Sequence, residues 1–177
     1  MRVNTRTGPV STHFVGPEWW VAAIYLALAL LVQIELTHFV SVRGAEPSFV
    51  LIVVIWYALR TDMRAAAIFG LIAGLCEDVF SAQTGAAWTI STTLTAIFAN
   101  YLTRWFFADS IPVVAGVVLV ATLLRRMLFW VGMALQGYPA GHARTHLHEA
   151  LWEALLNAVL AAIALLAFRM IEERRTR

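Results

Sequence analysis

Apolar residues in this chain come in long blocks, separated by short polar turns, with little of the strict alternation that a half-buried strand would show. A helix that crosses about 30 Å of hydrocarbon needs roughly 20 residues at 1.5 Å each. On that measure the pattern predicts six helical spans, at residues 18–37, 47–59, 64–79, 86–107, 111–136 and 149–170. The second and third are short. Trp19 and Trp20 stand at the start of the first block as an interfacial belt. Pro47 opens the second, where a residue without an N–H suits the first turn of a helix. Arg2 and Arg6 precede the first block as they would in a signal peptide, but no small-residue cleavage site follows it, so it reads as a retained span. The expectation is an all-α, polytopic bundle forming a single integral membrane domain over residues 1–177.

Composition strengthens that picture. Of 177 residues, 60% are hydrophobic and only 14% charged, against about half and a quarter in an ordinary globular domain. Mean hydropathy is +0.74. The net charge is +2, and all 13 basic residues are arginine. They form no stripe of the kind that binds nucleic acid. A single cysteine, Cys76, excludes an intrachain disulfide framework and reads as a small buried hydrophobe. If both termini share one side, that side receives Arg2, Arg6, Arg60, Arg64, Arg104 and the four arginines from Arg169 onward. The other side receives only Arg43 and Arg144. The positive-inside rule then places both termini in the cytoplasm.

Charges within the blocks require an explanation, because an unpaired one in hydrocarbon costs about 3 kcal/mol or more. Arg125 lies about 21 Å along a helix beginning at Ile111, deep in the outer half of the membrane, with Arg126 beside it. Glu35, Glu77, Asp78 and Glu153 fall in the same half, with Asn157 one turn beyond Glu153. Thr89, Ser91, Thr92, Thr93 and Thr95 lie there too. These residues predict an ion-pair cluster inside the bundle, in which Arg125 or Arg126 meets one or more of the carboxylates. Consecutive residues point about 100° apart, so the two arginines are not expected to share a partner. The bland alternatives are head groups that reach the outer interface, and for Asp78 a capping role in the turn that leads to Gly85.

Other motifs change little. Gly70 and Gly74 form a GxxxG spacing that marks a close helix-packing face. His142, His146, His148 and Glu149 lack the HExxH spacing of a zinc protease. They read as a loop before a helix, with Thr145 as a possible cap. No catalytic constellation or phosphate-binding loop stands out.

The stretch 47–102 resembles the rod shape-determining MreD family. The likeness rests on the apolar helix PSFVLIVVIWYAL opened by Pro47, the turn RTDMR, and then GLIAGLCEDVFSAQTG before a long apolar span with small polar residues. Gly70, Gly74, Asp78 and Gly85 occupy the positions of that family's glycine-rich helix and turn. Glu46 and Glu77 depart from the pattern. The resemblance implies a multi-pass protein of the bacterial cytoplasmic (inner) membrane, without catalytic activity or cofactor, surrounded by membrane lipid. It also implies that the protein binds the bitopic protein MreC, and through it RodA, a class B penicillin-binding protein and the actin-like MreB, in side-wall peptidoglycan synthesis. Two other readings compete. A six-helix substrate-binding subunit of a vitamin-type transporter would also want a polar outer half. An intramembrane hydrolase using Glu77 and Asp78 is disfavoured, because adjacent carboxylates on one helix point apart.

Overall fold

The computed structural model describes residues 17–36, 40–81, 84–102, 110–137 and 143–175. Among them are six helices and no strand: α1 (Trp19–Leu36), α2 (Phe49–Ala58), α3 (Met63–Ser81), α4 (Ala87–Leu102), α5 (Ile111–Leu135) and α6 (Ala143–Arg175). Two are long and apolar enough to cross a membrane by length and composition: α5, with a mean hydropathy of 1.9, and the stretch Thr145–Ile171 of α6, with 2.2. Arg2, Arg6, Arg104, His142 and the end of the fourth predicted span lie outside the described residues.

The shortest helix holds the centre. Val50, Leu51, Val54, Ile55, Tyr57 and Ala58 of α2 are all buried, as expected of a helix that is apolar on every side. One set packs with Val114, Val117, Val118 and Ala121 of α5 and with Ala99 of α4. The other packs with Ala22, Leu26 and Ala29 of α1 and with Phe69 and Ala73 of α3. α2 touches every other helix, while α3 packs most extensively on α4, and α5 on α6.

Outside the α2 core, small and polar side chains of α6 face inward and large apolar ones face outward. On α6, Ala150, Glu153, Ala154, Asn157, Ala158 and Ala161 are buried, whereas Leu151, Leu155, Val159 and Ile163 are exposed. This inverts the amphipathicity of a water-soluble bundle and matches helices packed through small residues in an apolar surround.

Close approach is tightest between α3 and α4. A Cβ added at Gly70 would lie 2.7 Å from the Ala96 Cβ, and one at Gly74 would lie 2.6 Å from the Thr89 Cα and 2.8 Å from the Trp88 carbonyl oxygen. The turn between these helices needs two left-handed residues, Gly85 (φ 49°) and Ala86 (φ 70°).

Three details differ from the sequence expectation. Pro47 does not lie in the first turn of α2: Ser48 is the N-cap and its hydroxyl accepts from the Leu51 N–H, leaving buried Pro47 one residue outside. α6 begins at Ala143, not at residue 149, so Thr145, His146 and His148 are helical. No glycine or proline interrupts that stretch, and side-chain pairs one turn apart support it. His146 lies 3.8 Å from Glu149, and the Trp152 Nε1–H donates to His148 Nε2 at 3.2 Å. Cys76, finally, is only partly buried and borders an open groove between α1 and α3.

Candidate functional site: a charged network around the end of helix α2

The N-terminus of α2 ends inside the bundle, so its first N–H groups cannot reach bulk water and need side-chain partners. Three helices supply them. The Ser48 N–H donates to Asn157 Oδ1 of α6 at 2.8 Å, and the Val50 N–H donates to Gln33 Oε1 of α1 at 3.1 Å. Leu51 N–H goes to the Ser48 hydroxyl at 3.3 Å. Asn157 is itself held by the Thr122 hydroxyl of α5 at 3.3 Å. The other end of α2 is fastened in the same manner: Asn100 Nδ2 of α4 donates to the Ala58 and Thr61 carbonyls at 2.8 and 2.7 Å.

Arg125 joins this frame to the carboxylates. Its side chain is almost wholly buried, and all three of its nitrogens are engaged. Nη2 donates to Glu77 Oε1 at 2.5 Å, Nη1 to the Ser48 hydroxyl at 2.7 Å and Nε to the Thr92 hydroxyl at 3.1 Å. Thr92 in turn donates to Glu77 Oε2 at 3.2 Å, and Gln33 Nε2 approaches Glu77 Oε1 at 3.5 Å. The Trp88 ring, stacked on Phe129, lies 4.4 Å from the guanidinium carbon, within cation–π range. Arg126 turns to a different carboxylate and pairs through Nε with buried Glu153 of α6. It also lies 5.8 Å from the Trp88 ring.

Asp78, adjacent to Glu77 in sequence, points elsewhere and serves the start of α4. Its Oδ2 accepts from the Thr89 N–H (2.8 Å) and hydroxyl (2.5 Å), and its Oδ1 accepts from Thr84 Oγ1 (2.6 Å) and the Trp88 N–H (3.2 Å). Ala86, immediately before α4, has no side chain able to cap it. Asp78 does so across the turn, placing a negative charge at a helix N-terminus where the backbone dipole favours it.

The structure thus brings together Glu77 with Arg125, Glu153 with Arg126, and Asn157 with Ser48. Gly70 and Gly74 form the α3–α4 contact, while Asp78 and Gly85 shape the turn between them. Glu35 is not in the network; it is exposed on α1, and Gln33 reaches inward instead, two residues and about 200° away. Gln33, Ser48, Trp88 and Asn100 were absent from the sequence-derived set. Ser48 carries a legible signal, a serine directly before an apolar run. The others are lone polar or aromatic residues whose facing direction only packing decides. Among the described residues, no group of three or more His, Cys, Asp or Glu side chains is placed to hold a metal ion.

An open cavity of about 400 Å³ lies against this network, with Glu46, Glu77, Arg125, Arg126 and Glu153 in its wall.

A family model for MreD, described as rod shape-determining protein MreD, matches residues 15–171. The chain belongs to the MreD family. No match is found among curated proteins or solved structures. Membership in the MreD family assigns the chain a role in rod-shape determination and association with a membrane. The matched region contains the whole charged network and all of α2.

Proposed function

We propose that this MreD-family protein is a non-enzymatic scaffold of the cell-elongation complex. In this reading it is embedded in the bacterial cytoplasmic membrane by six crossings, with both termini inside, and binds MreC to support side-wall peptidoglycan synthesis. The family match over residues 15–171 carries the proposal and favours it over a transporter-subunit reading. Two physical features support it. Large apolar side chains are exposed on α1, α3, α4, α5 and α6, while charged and polar ones are buried between the helices. The buried charges also complete one another's hydrogen bonds, as they would in a frame that holds helices in register.

Embedding is compatible with a ten-residue α2, although such a helix spans only about 15 Å. The irregular segment ahead of it runs beside the polar cavity, which is lined by Glu46, Pro47 and Ser48. Non-helical backbone at membrane depth is tolerated where it is buried in protein or lines a cavity. Purification of the tagged full chain in mild detergent, with mass spectrometry of the co-eluting proteins, tests the function. Recovery of MreC with the wall-synthesis enzymes is expected. Their absence, with an ATPase module recovered instead, would overturn the scaffold reading. Cysteine-accessibility mapping of single-cysteine variants in the loops tests the six crossings, which predict that Arg43→Cys labels from outside and Asp62→Cys only from inside.

A further inference from the structure

The segment ahead of α2 carries a strained residue that the charged network does not explain. Val42 and Ala45 exchange backbone hydrogen bonds at 2.9 and 3.0 Å across a two-residue turn. Both turn residues are left-handed, Arg43 at φ 53° and Gly44 at φ 82°. A turn of this kind favours asparagine, aspartate or glycine. Glycine adopts that conformation freely, whereas arginine does so at a cost. Such outliers persist where surrounding contacts hold them. Here the contact is on another helix: the Arg43 guanidinium lies 4.5 Å from the centre of the Trp152 ring of α6, within cation–π range. The same indole is oriented by its hydrogen bond to His148.

The contact sits beside the polar cavity. From the turn the chain runs through Glu46, Pro47 and Ser48, which line that cavity, and Glu153, the neighbour of Trp152, lines it from α6. α1 packs chiefly on α2 and has no comparable contact with α6. Lower in the bundle the seam between α1 and α6 is open. A second cavity, of about 220 Å³, lies there over α2, between Tyr25 of α1 and Ala161, Leu165 and Phe168 of α6. At the outer end the segment that connects α1 to α2 reaches across the same seam. Its base is fixed, with the Ser48 N–H on Asn157 of α6. Its tip meets α6 again through Arg43, five residues nearer the outer end.

We propose that residues 42–46 form a strap over the outer end of the α1–α6 seam, latched by Arg43 on Trp152, and that its release widens access from the outer aqueous phase to the polar cavity. The left-handed backbone at Arg43 favours release, and the cation–π contact opposes it. The strap rests on the membrane embedding argued above, which places this end outside, but not on the scaffold role.

The test is the rate at which a charged, membrane-impermeant methanethiosulfonate reagent, added outside spheroplasts, modifies a thiol in the cavity wall. Leu30→Cys supplies the thiol, in a full chain whose native thiol is removed by Cys76→Ala. Leu30 is half-buried and lines the cavity about 9 Å below the end of α1, where a charged reagent cannot arrive through hydrocarbon. Trp152→Leu keeps apolar bulk and loses the ring. It should speed modification about two- to fivefold, the factor to which one exposed cation–π contact corresponds. Arg43→Asn should speed it too. That variant separates a latch from a turn, because asparagine before glycine is the pair such a turn favours, so a strap held by its turn alone would close more firmly. The double variant should be no faster than the faster single one, since both remove one contact. Modification of Arg43→Asn at the wild-type rate or slower overturns the proposal, as do accelerations that multiply in the double variant. Labelling of Arg43→Cys only from inside would overturn the embedding and the strap together. Capture of MreC is scored separately, so failure of the strap and failure of the scaffold reading are distinguishable.

Discussion

Glu77 and Arg125 meet at 2.5 Å with side chains 6% and 2% exposed, and removing either strands the other away from water. Breaking a buried pair by deleting one partner costs about 3–5 kcal/mol, whereas replacing both by apolar residues is often close to neutral. The structure makes the two deletions unequal. In Glu77→Leu the guanidinium keeps Ser48, Thr92 and the Trp88 face but has no carboxylate, and it cannot lose its proton. In Arg125→Met the stranded carboxyl keeps the Thr92 hydroxyl and the Gln33 amide and can neutralise itself by taking up a proton. Glu77→Leu is therefore expected near the upper figure and Arg125→Met near the lower. In a 177-residue chain this range corresponds to roughly 6–20 °C in melting temperature. The double variant should be at most about 2 kcal/mol less stable than wild type, because only the neutral partners Ser48, Thr92 and Gln33 lose a bond. The assay is thermal unfolding in one fixed detergent, followed by tryptophan fluorescence. Additive losses in the double variant, or single variants within about 0.5 kcal/mol of wild type, would refute a buried, mutually dependent pair.

Other perturbations read other parts of the frame. Gly74→Ala places a methyl against the Thr89 and Trp88 backbone and should destabilise by about 1–3 kcal/mol. Gly116→Ala on α5 meets nothing within 4 Å and should be neutral or stabilising by up to about 1 kcal/mol; equal melting losses in both would discount the packing argument. Asp78→Ala should cost about 1–2 kcal/mol and speed amide hydrogen exchange at Trp88 and Thr89, while leaving exchange at Leu51 unchanged. Asn100→Ala releases the buried Ala58 carbonyl and the part-buried Thr61 carbonyl at the end of α2 and should cost about 1–3 kcal/mol. A melting temperature equal to wild type would show that those carbonyls find other partners.

The positions of the helices were legible because each apolar block is bounded by polar or turn residues, and the GxxxG spacing identified the α3 packing face. The rank of α2 was not legible. Its thirteen-residue block looked like an undersized span, and periodicity cannot say that a helix apolar on every side is surrounded by the other five. The wiring was equally hidden. Glu35 and Gln33 are two residues apart on α1, and choosing which turns inward requires knowing where α1 touches α2. The divergence of Glu77 and Asp78 does follow from helix geometry alone. What did not follow was that Asp78 caps α4 across the turn, because the preceding position, Ala86, is held in a left-handed conformation that composition does not announce.

One physical requirement unites the network. A short helix ending inside a bundle leaves N–H groups that hydrocarbon cannot satisfy, and each such group costs several kcal/mol. Gln33, Asn157 and Ser48 meet that need from α1, α6 and the cap itself. The Ser48 hydroxyl accepts from Leu51 and from Arg125 at once, so the end of α2 and the ion pair share one oxygen. Displacing α2 would break the arginine's contact with Ser48, and displacing α5 would take that donor away from the capping oxygen. Helices that share partners in this way are coupled, the property that the proposed scaffold role needs. Ser48→Ala isolates that coupling because it removes the shared oxygen and leaves Glu77 and Arg125 in place. It should make the stability cost of Arg125→Met smaller than in wild type, since one contact has already gone. An unchanged cost would mean that the cap and the ion pair are independent neighbours.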